Sequence, residues 1–280
     1  MIASPLNGQG PFRLLHAALP ERIRLVDVGA YRGDFTATAL AVFPGSSALL
    51  FEPGPSKAAA LRERYRGEPA VRVFELALGD ERGEALLHEL EDSATDSLLP
   101  PREATEETTR RVRVSRLDEI LDEEGAPAVD LIKIDAQGYD LRVLRGAAET
   151  LARCRPALLV EAIFAPLYRG QASFDELLAF LTAAGYRAAG VHAIHTDTRG
   201  LLAFADFLFL GRDSHTRLAA AAACGPFTCR DPDVLLEQVE ALQRACDERL
   251  ALIHDLTKAA EERLALVHRL DGQLRRIQEA

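Results

Sequence analysis

The chain of 280 residues contains no tryptophan, and aromatic residues make up only 6% of it. Stacking platforms for a ring-shaped ligand are therefore scarce, although neither shortage is diagnostic of a fold. Lysine is nearly missing as well: of 33 basic residues only Lys57, Lys133 and Lys258 are lysines. That bias fits genomic base composition and implies no chemistry of its own. There is no surplus of positive charge. The formal charge of −10 argues against a broad nucleic-acid surface, because neutralising phosphates needs concentrated basic residues. Long apolar runs are also lacking. The stretch Leu201–Leu210 is interrupted by Asp206 and falls well short of the roughly 18 residues a membrane span requires. The N-terminus has no basic start, and Arg13 and His16 break its short apolar stretch, so no secretory signal is expected. Four cysteines, Cys154, Cys224, Cys229 and Cys246, then suit reduced thiols in a cytoplasmic protein. Cys224 and Cys229 lack a second ligand pair at zinc-finger spacing.

What is present is an ordinary globular composition, 48% hydrophobic and 27% charged, which excludes a wholly disordered or collagen-like chain. The length suits one large α/β domain with an appendage, or two small domains. Short β-rich runs alternate with longer helical patterns from about Ile23 to Leu210, the layout of a mostly parallel sheet covered by helices. Strands are expected at Arg24–Val28, Ala48–Phe51, Val71–Leu76, around Val112 and Val114, and at Leu131–Ile134, Ala157–Val160, Arg187–Val191 and Asp206–Leu210. Helices are expected at Phe35–Val42, Lys57–Tyr65, Leu117–Leu121, Leu141–Ala152 and Phe174–Ala184. Pro55 and Ser56 read as the start and cap of the second helix, and Ser115 with Asp118 resembles a capping box before the third. Glu91–Arg110 is rich in Thr, Glu and Pro without apolar periodicity, and reads as a long loop, either a lid or merely mobile.

The domain layout expected is a helical lead-in over 1–22, an α/β domain over 23–212, a linker over 213–232 and a long helix over 233–280. That last segment carries heptads with a at Val239, Cys246, Ile253, Ala260, Val267 and Leu274. Its d positions are apolar except Arg249 and Arg263, which favours a coiled coil over a single amphipathic helix folded onto its own domain.

The first strand ends in Asp27-Val28-Gly29 and turns through Tyr31 and Gly33 into a helix opened by Asp34. Glycines are needed where backbone must approach a ligand or take positive φ, and the following helix offers free N–H groups. The dinucleotide fingerprint wants a middle glycine, which Tyr31 replaces, and Asp34 is a poor neighbour for phosphate. A nicotinamide-dependent oxidoreductase is thereby disfavoured. Asp27 suits a cofactor bearing an amine and a sulfonium instead. Glu52 ends the second strand nineteen residues after Gly33, where an acid can bond both hydroxyls of an adenosyl ribose. Together these residues point to S-adenosyl-L-methionine. The loop Ala77-Leu78-Gly79-Asp80 would lie beside the adenine, with Leu78 packing on the ring and Asp80 either accepting from its amine or forming a turn with Gly79.

The segments VDVGAYRGDFT (26–36), FEPGP (51–55), ALGDERG (77–83), VSRLDEI (114–120), DLIKIDAQGYDLRVLRGA (130–147) and RPALLVE (155–161) make the chain resemble the FkbM family of S-adenosylmethionine-dependent methyltransferases over roughly residues 20–212. The resemblance implies a class I methyltransferase: a Rossmann-like α/β fold with a seven-stranded, mostly parallel sheet, helices on both faces, and ligands at the carboxyl ends of the strands. It also implies methyl transfer to a hydroxyl oxygen, often on a sugar or a secondary metabolite. The family's Asp-x-Glu-Gly has its glutamate replaced here by Gln137, which removes one proton acceptor or metal ligand.

An alcohol acceptor must be aligned with the methyl group and relieved of a proton. Asp135, Glu161 (with Tyr168 nearby) and His192 (with His195) share the expected active face. Asp135 leads, because it alternates with Lys133 on one sheet face and centres the family motif; alternatively it orders the loop or binds the cofactor amine. A divalent ion held jointly by Asp135, Glu161 and His192 is the disfavoured alternative. The expectation is a cytoplasmic S-adenosylmethionine-dependent O-methyltransferase acting on a small-molecule or glycan acceptor, most simply a sugar hydroxyl. Its C-terminal helix would drive homo-oligomerisation or dock a biosynthetic partner, with no nucleic acid and no membrane span. The rivals are methylation of a non-sugar small molecule and a non-catalytic coiled-coil assembly module with a methyltransferase-like head.

Overall fold

A computed structural model of the chain describes residues 10–90, 95–103, 107–125, 128–211 and 214. The expected linker and C-terminal helix lie outside the described residues, Ser214 excepted. The strands are β1 (Arg24–Val28), β2 (Ser47–Phe51), β3 (Val71–Phe74), β4 (Ala77–Leu78), β5 (Gly83–Leu90), β6 (Glu107–Ser115), β7 (Leu131–Ile134), β8 (Ala157–Ile163), β9 (Arg187–Thr196) and β10 (Leu202–Leu210). The helices are α1 (Phe12–Ala18), α2 (Asp34–Val42), α3 (Pro55–Arg64), α4 (Leu117–Glu123), α5 (Asp140–Arg145), α6 (Ala148–Cys154) and α7 (Phe174–Ala183).

Seven strands form one sheet in the order β3-β2-β1-β7-β8-β10-β9, and only β10 runs against its neighbours. Because successive side chains on a strand face opposite ways, each central strand feeds two cores. Leu25, Leu50, Leu131, Leu159 and Leu208 pack with Phe12 and Leu15 of α1, Ala39 and Val42 of α2 and Leu61 of α3. Val26, Leu49, Ile132, Leu158, Val160 and Phe209 pack on the other face with Leu117 and Ile120 of α4, Val143 of α5, Leu151 of α6 and Leu177 of α7. Burial on both faces is why β8 reads as an unbroken apolar run until Glu161.

Several local expectations change. The strand around Val112 and Val114 joins a separate three-stranded sheet, order β4-β6-β5, whose β5 carries no strand signature in GEALLHEL and is held by eight residue pairs to β6. The expected helix Leu141–Ala152 is two helices. The chain breaks at Gly146, where an added Cβ would lie 1.9 Å from the Gly79 carbonyl oxygen, so close backbone contact bends it. The capping box before α4 does not form. Arg116 is the N-cap without a side-chain bond, and Asp118 reaches across to cap α6, accepting from the N–H groups of Glu149 (3.1 Å) and Thr150 (2.9 Å) and from the Thr150 hydroxyl (2.7 Å). Helix α3 is capped by Gly54, with Pro55 as its first residue. Among the described residues no helix is long and apolar enough to cross a membrane.

Candidate active site

A cleft opens at the carboxyl ends of β1, β2 and β7. Its floor is the turn after β1. Gly29 sits at φ +69°, and a Cβ there would lie 2.0 Å from the backbone oxygen of Asp135, so only glycine lets this turn meet the one after β7. Tyr31 also takes positive φ (+49°) and points its ring into the cleft between the cations of Arg32 and Lys57, 5.0 and 5.1 Å from the ring centre. Gly33 stays beneath, pressed on Leu61 and Tyr65, whose hydroxyl donates to the Gly33 carbonyl at 2.7 Å.

Glu52, 4% exposed, is fixed at the end of β2 by two backbone donors: Tyr31 N–H to Oε2 at 3.0 Å and Gly54 N–H to Oε1 at 2.9 Å. Burial pushes its carboxyl up, and those two N–H groups pull it back. Leu76, Ala77 and Leu78 form the apolar wall opposite, with Tyr139 beside them. Asp80 lies outside the lining, 3.9 Å from Arg142.

Asp27 is fully buried under the floor and does not line the cleft. Its Oδ2 accepts from the Thr36 hydroxyl at 2.6 Å. Among the described residues no donor completes a hydrogen bond to its Oδ1, whose cationic neighbour is Lys133 Nζ at 3.7 Å. Lys133 bridges upward to the Gly29 carbonyl (3.1 Å) and to Asp135 Oδ2 (3.2 Å). Burial raises the Asp27 carboxyl, while Lys133 and Thr36 oppose the rise. Burial likewise opposes the Lys133 charge, but Asp135 and Asp27 outweigh it and hold the ammonium above its ordinary value.

Asp135 is an acid at the β7 side of the cleft surface, a third exposed. Its Oδ1 accepts from the Gln137 amide at 2.7 Å, and the same nitrogen donates to Glu161 Oε2 at 2.8 Å. Glu161 therefore sits behind Gln137, outside the main cleft. Burial, then the charges of Asp135, Asp140 and Asp206, push its carboxyl up to about 10. The structure thus brings Asp135 and Glu161 together through Gln137. It does not bring His192 to them: that ring lies over Gly190, its Nε2 is without a partner among the described residues, and burial lowers its pKa. Among the described residues no three His, Cys, Asp or Glu side chains are arranged to hold a metal ion.

Two groups of residues escaped the sequence. Asp206 pairs in register with both Glu161 and His192, and burial with the nearby Asp135 charge lifts it to about 6. Its interruption of an apolar run was the available signal. Residues 95–101 of the long loop were unreadable for want of periodicity, yet they close one side of the cleft. Ser97 pairs with His88 and donates its hydroxyl to the Gln137 carbonyl at 2.7 Å, Asp96 meets Lys57 at 2.6 Å, and Leu99 packs on Ile163 and Tyr168.

An open parallel sheet with one reversed strand, and a cleft where a glycine turn and a rigid acid face each other across adjacent strand ends, defines the Rossmann-like enzymes that bind nucleoside-bearing cofactors. Within that class the chain belongs to the FkbM methyltransferases: the family model described as "Methyltransferase FkbM domain" matches residues 27–188. It is an S-adenosylmethionine-dependent methyltransferase. Two curated proteins are similar to it. One is the 2-O-methyltransferase NoeI of Sinorhizobium fredii, 29% identical over 171 residues that cover 56% of this chain and 70% of the relative. The other is methyltransferase sdnD of Sordaria araneosa, 28% identical over 167 residues that cover 48% of this chain and 63% of that relative. Among solved structures, methyltransferase FkbM from Methylobacillus flagellatus KT has a TM-score of 0.47 and 19% identity, over 69% of this chain and 47% of that one.

Proposed function

We propose that the protein methylates a hydroxyl oxygen, on a sugar of a glycan or glycosylated metabolite, with Asp135 as the group that takes the proton. The observation that carries this is the placement of Asp135: a partly exposed carboxylate on the cleft surface, held by Lys133 and Gln137 on separate oxygens. The printed name of the Sinorhizobium fredii relative, a 2-O-methyltransferase, supports an oxygen acceptor. A sugar is the acceptor class that the family resemblance implies.

The cleft fits an adenosyl cofactor. Glu52 presents fixed carboxylate oxygens that still have lone pairs for a ribose diol, Leu78 and its neighbours offer an apolar wall for adenine, and the turn from Gly29 to Arg32 lines the space between them. Tyr31 borders the amino-acid end, while Asp27 acts from beneath, through Lys133. Asp80 serves the rim through Arg142. S-adenosylmethionine supplies an electrophilic methyl on its sulfonium. Asp135 orients the acceptor hydroxyl and accepts its proton, and Lys133 stabilises the carboxylate before that transfer. Glu161 backs Gln137, its carboxyl held well above the usual range by burial and the surrounding acids. We further read residues 233–280 as a self-association segment from their heptads; deleting them should leave a monomer by light scattering, and an unchanged oligomer refutes that assignment.

The test is calorimetric titration with S-adenosylhomocysteine, with NADH as comparison, followed by a screen of sugar, non-sugar alcohol and amine acceptors with methyl-labelled cofactor. Binding of S-adenosylhomocysteine alone, with label appearing on a sugar and lost in Asp135→Asn while cofactor affinity persists, is the expected result. Label only on amines, or full transfer by Asp135→Asn, refutes the assignment.

A further inference from the structure

We propose that the Gln137 carboxamide is a positioning group that occupies the seat of a cation: by bridging Asp135 and Glu161 it orients the acceptor-facing acid, and no metal ion stands between the two. A primary amide nitrogen has two hydrogens, and both are used, at 2.7 Å to Asp135 Oδ1 and 2.8 Å to Glu161 Oε2. The reverse orientation would set a carbonyl oxygen against two carboxyl groups. The Tyr168 hydroxyl lies 2.8 Å from Gln137 Oε1 and 3.1 Å from the Thr95 carbonyl, and the shorter contact favours donation of its one hydrogen to the amide oxygen. The backbone is committed as well. Gln137 lies in the left-handed region (φ +50°), rare for a residue with a side chain, and the Ser97 hydroxyl holds its carbonyl. Gln137 is 8% exposed, so its amide is largely shielded from water.

The surroundings explain why an amide is needed there. Glu161 faces Asp135 and Lys133 from the β7 end, Asp140 from α5 and Asp206 from β10, with the Tyr168 hydroxyl on the far side of Gln137. Acids outnumber the single ammonium, and the two N–H bonds supply the partial positive charge that a divalent ion would otherwise bring. A glutamate at 137 would gather three carboxyl groups at this point. The catalytic consequence rests on Asp135 being the acceptor-facing base; the bridge and its test do not.

The experiment is Mn2+ binding to the full chain, followed by the paramagnetic spectrum of the bound ion, in wild type, Glu161→Gln, Gln137→Glu and the Gln137→Glu/Glu161→Gln double variant. S-adenosylhomocysteine titration and melting serve as folding controls. Wild type and Glu161→Gln should bind Mn2+ alike. Gln137→Glu should gain one site, at least about tenfold tighter than any in wild type, that the double variant loses. Wild-type Mn2+ binding that Glu161→Gln abolishes overturns the proposal, and this comparison holds whether or not Gln137→Glu folds. A folded Gln137→Glu that gains no Mn2+ site also overturns it.

Discussion

Replacing Lys133 by methionine removes the one ammonium shared by Asp27 and Asp135 while keeping the volume of the side chain. Asp135 reaches water, but Asp27 is fully buried and retains only the Thr36 hydroxyl. An unpaired buried carboxylate escapes by taking up a proton, so the loss cannot exceed the cost of protonating it. From the ordinary aspartate value of 3.8, at about 1.36 kcal/mol per pH unit, that ceiling is about 4 kcal/mol at pH 7 and about 1.6 kcal/mol at pH 5. Asp27 in the variant has a folded-state pKa above its unfolded value. Its contribution is therefore intact below the unfolded pKa and is lost as pH rises. Asp206 and Glu161 also lose the Lys133 charge and shift the same way, so the ceiling is the Asp27 share, which the combination with Asp27→Asn isolates. Urea denaturation at pH 5 and pH 7 should show a deficit that grows with pH, most of it recovered when Asp27→Asn is combined with Lys133→Met. A deficit that is equal at the two pH values, or larger at pH 5, would refute the role given to the buried pair.

Glu52→Ala removes the acceptor for two backbone N–H groups and both proposed ribose contacts; S-adenosylhomocysteine affinity measured by calorimetry should fall by about 100-fold, and a change under about threefold contradicts the assignment. Asp118→Ala strips three donors at the start of α6 of their shared acceptor and should cost about 3 kcal/mol in urea denaturation, with cofactor affinity retained. Asp206 has its pKa raised to about 6, so its contribution is fully present below about pH 4 and is lost as pH rises through 6. Asp206→Asn should therefore flatten the decline in stability between pH 4 and pH 7, by at most about 3 kcal/mol; an unchanged slope would count against that shift.

The parts of the fold legible in the sequence are those where local chemistry and tertiary environment agree. The runs at β1, β7 and β8 are apolar because both faces are covered, and the glycines at 29 and 33 mark a turn that backbone contact and helix packing each require. Strand β5 was illegible because its residues favour helix, and only pairing with β6 makes it a strand. Asp118 looked like a local cap and instead caps a helix 31 residues away, a choice fixed by tertiary position. In the site, Gln137 reads in sequence as a missing glutamate, whereas in space its amide connects the two acids that the sequence could only place on a common face. Residues 95–101 carry no periodic signal because hydrogen bonds and a few apolar anchors hold them to the rest of the domain.

A crystal structure of the full chain with S-adenosylhomocysteine tests the placement of the reaction most directly. The ribose hydroxyls should lie on the Glu52 carboxylate and the adenine against Leu78, leaving the sulfur on the side of the cleft that Asp135 faces. Density for the ligand anywhere else, or with its sulfur turned away from Asp135, would contradict the assignment of this cleft and of Asp135 within it.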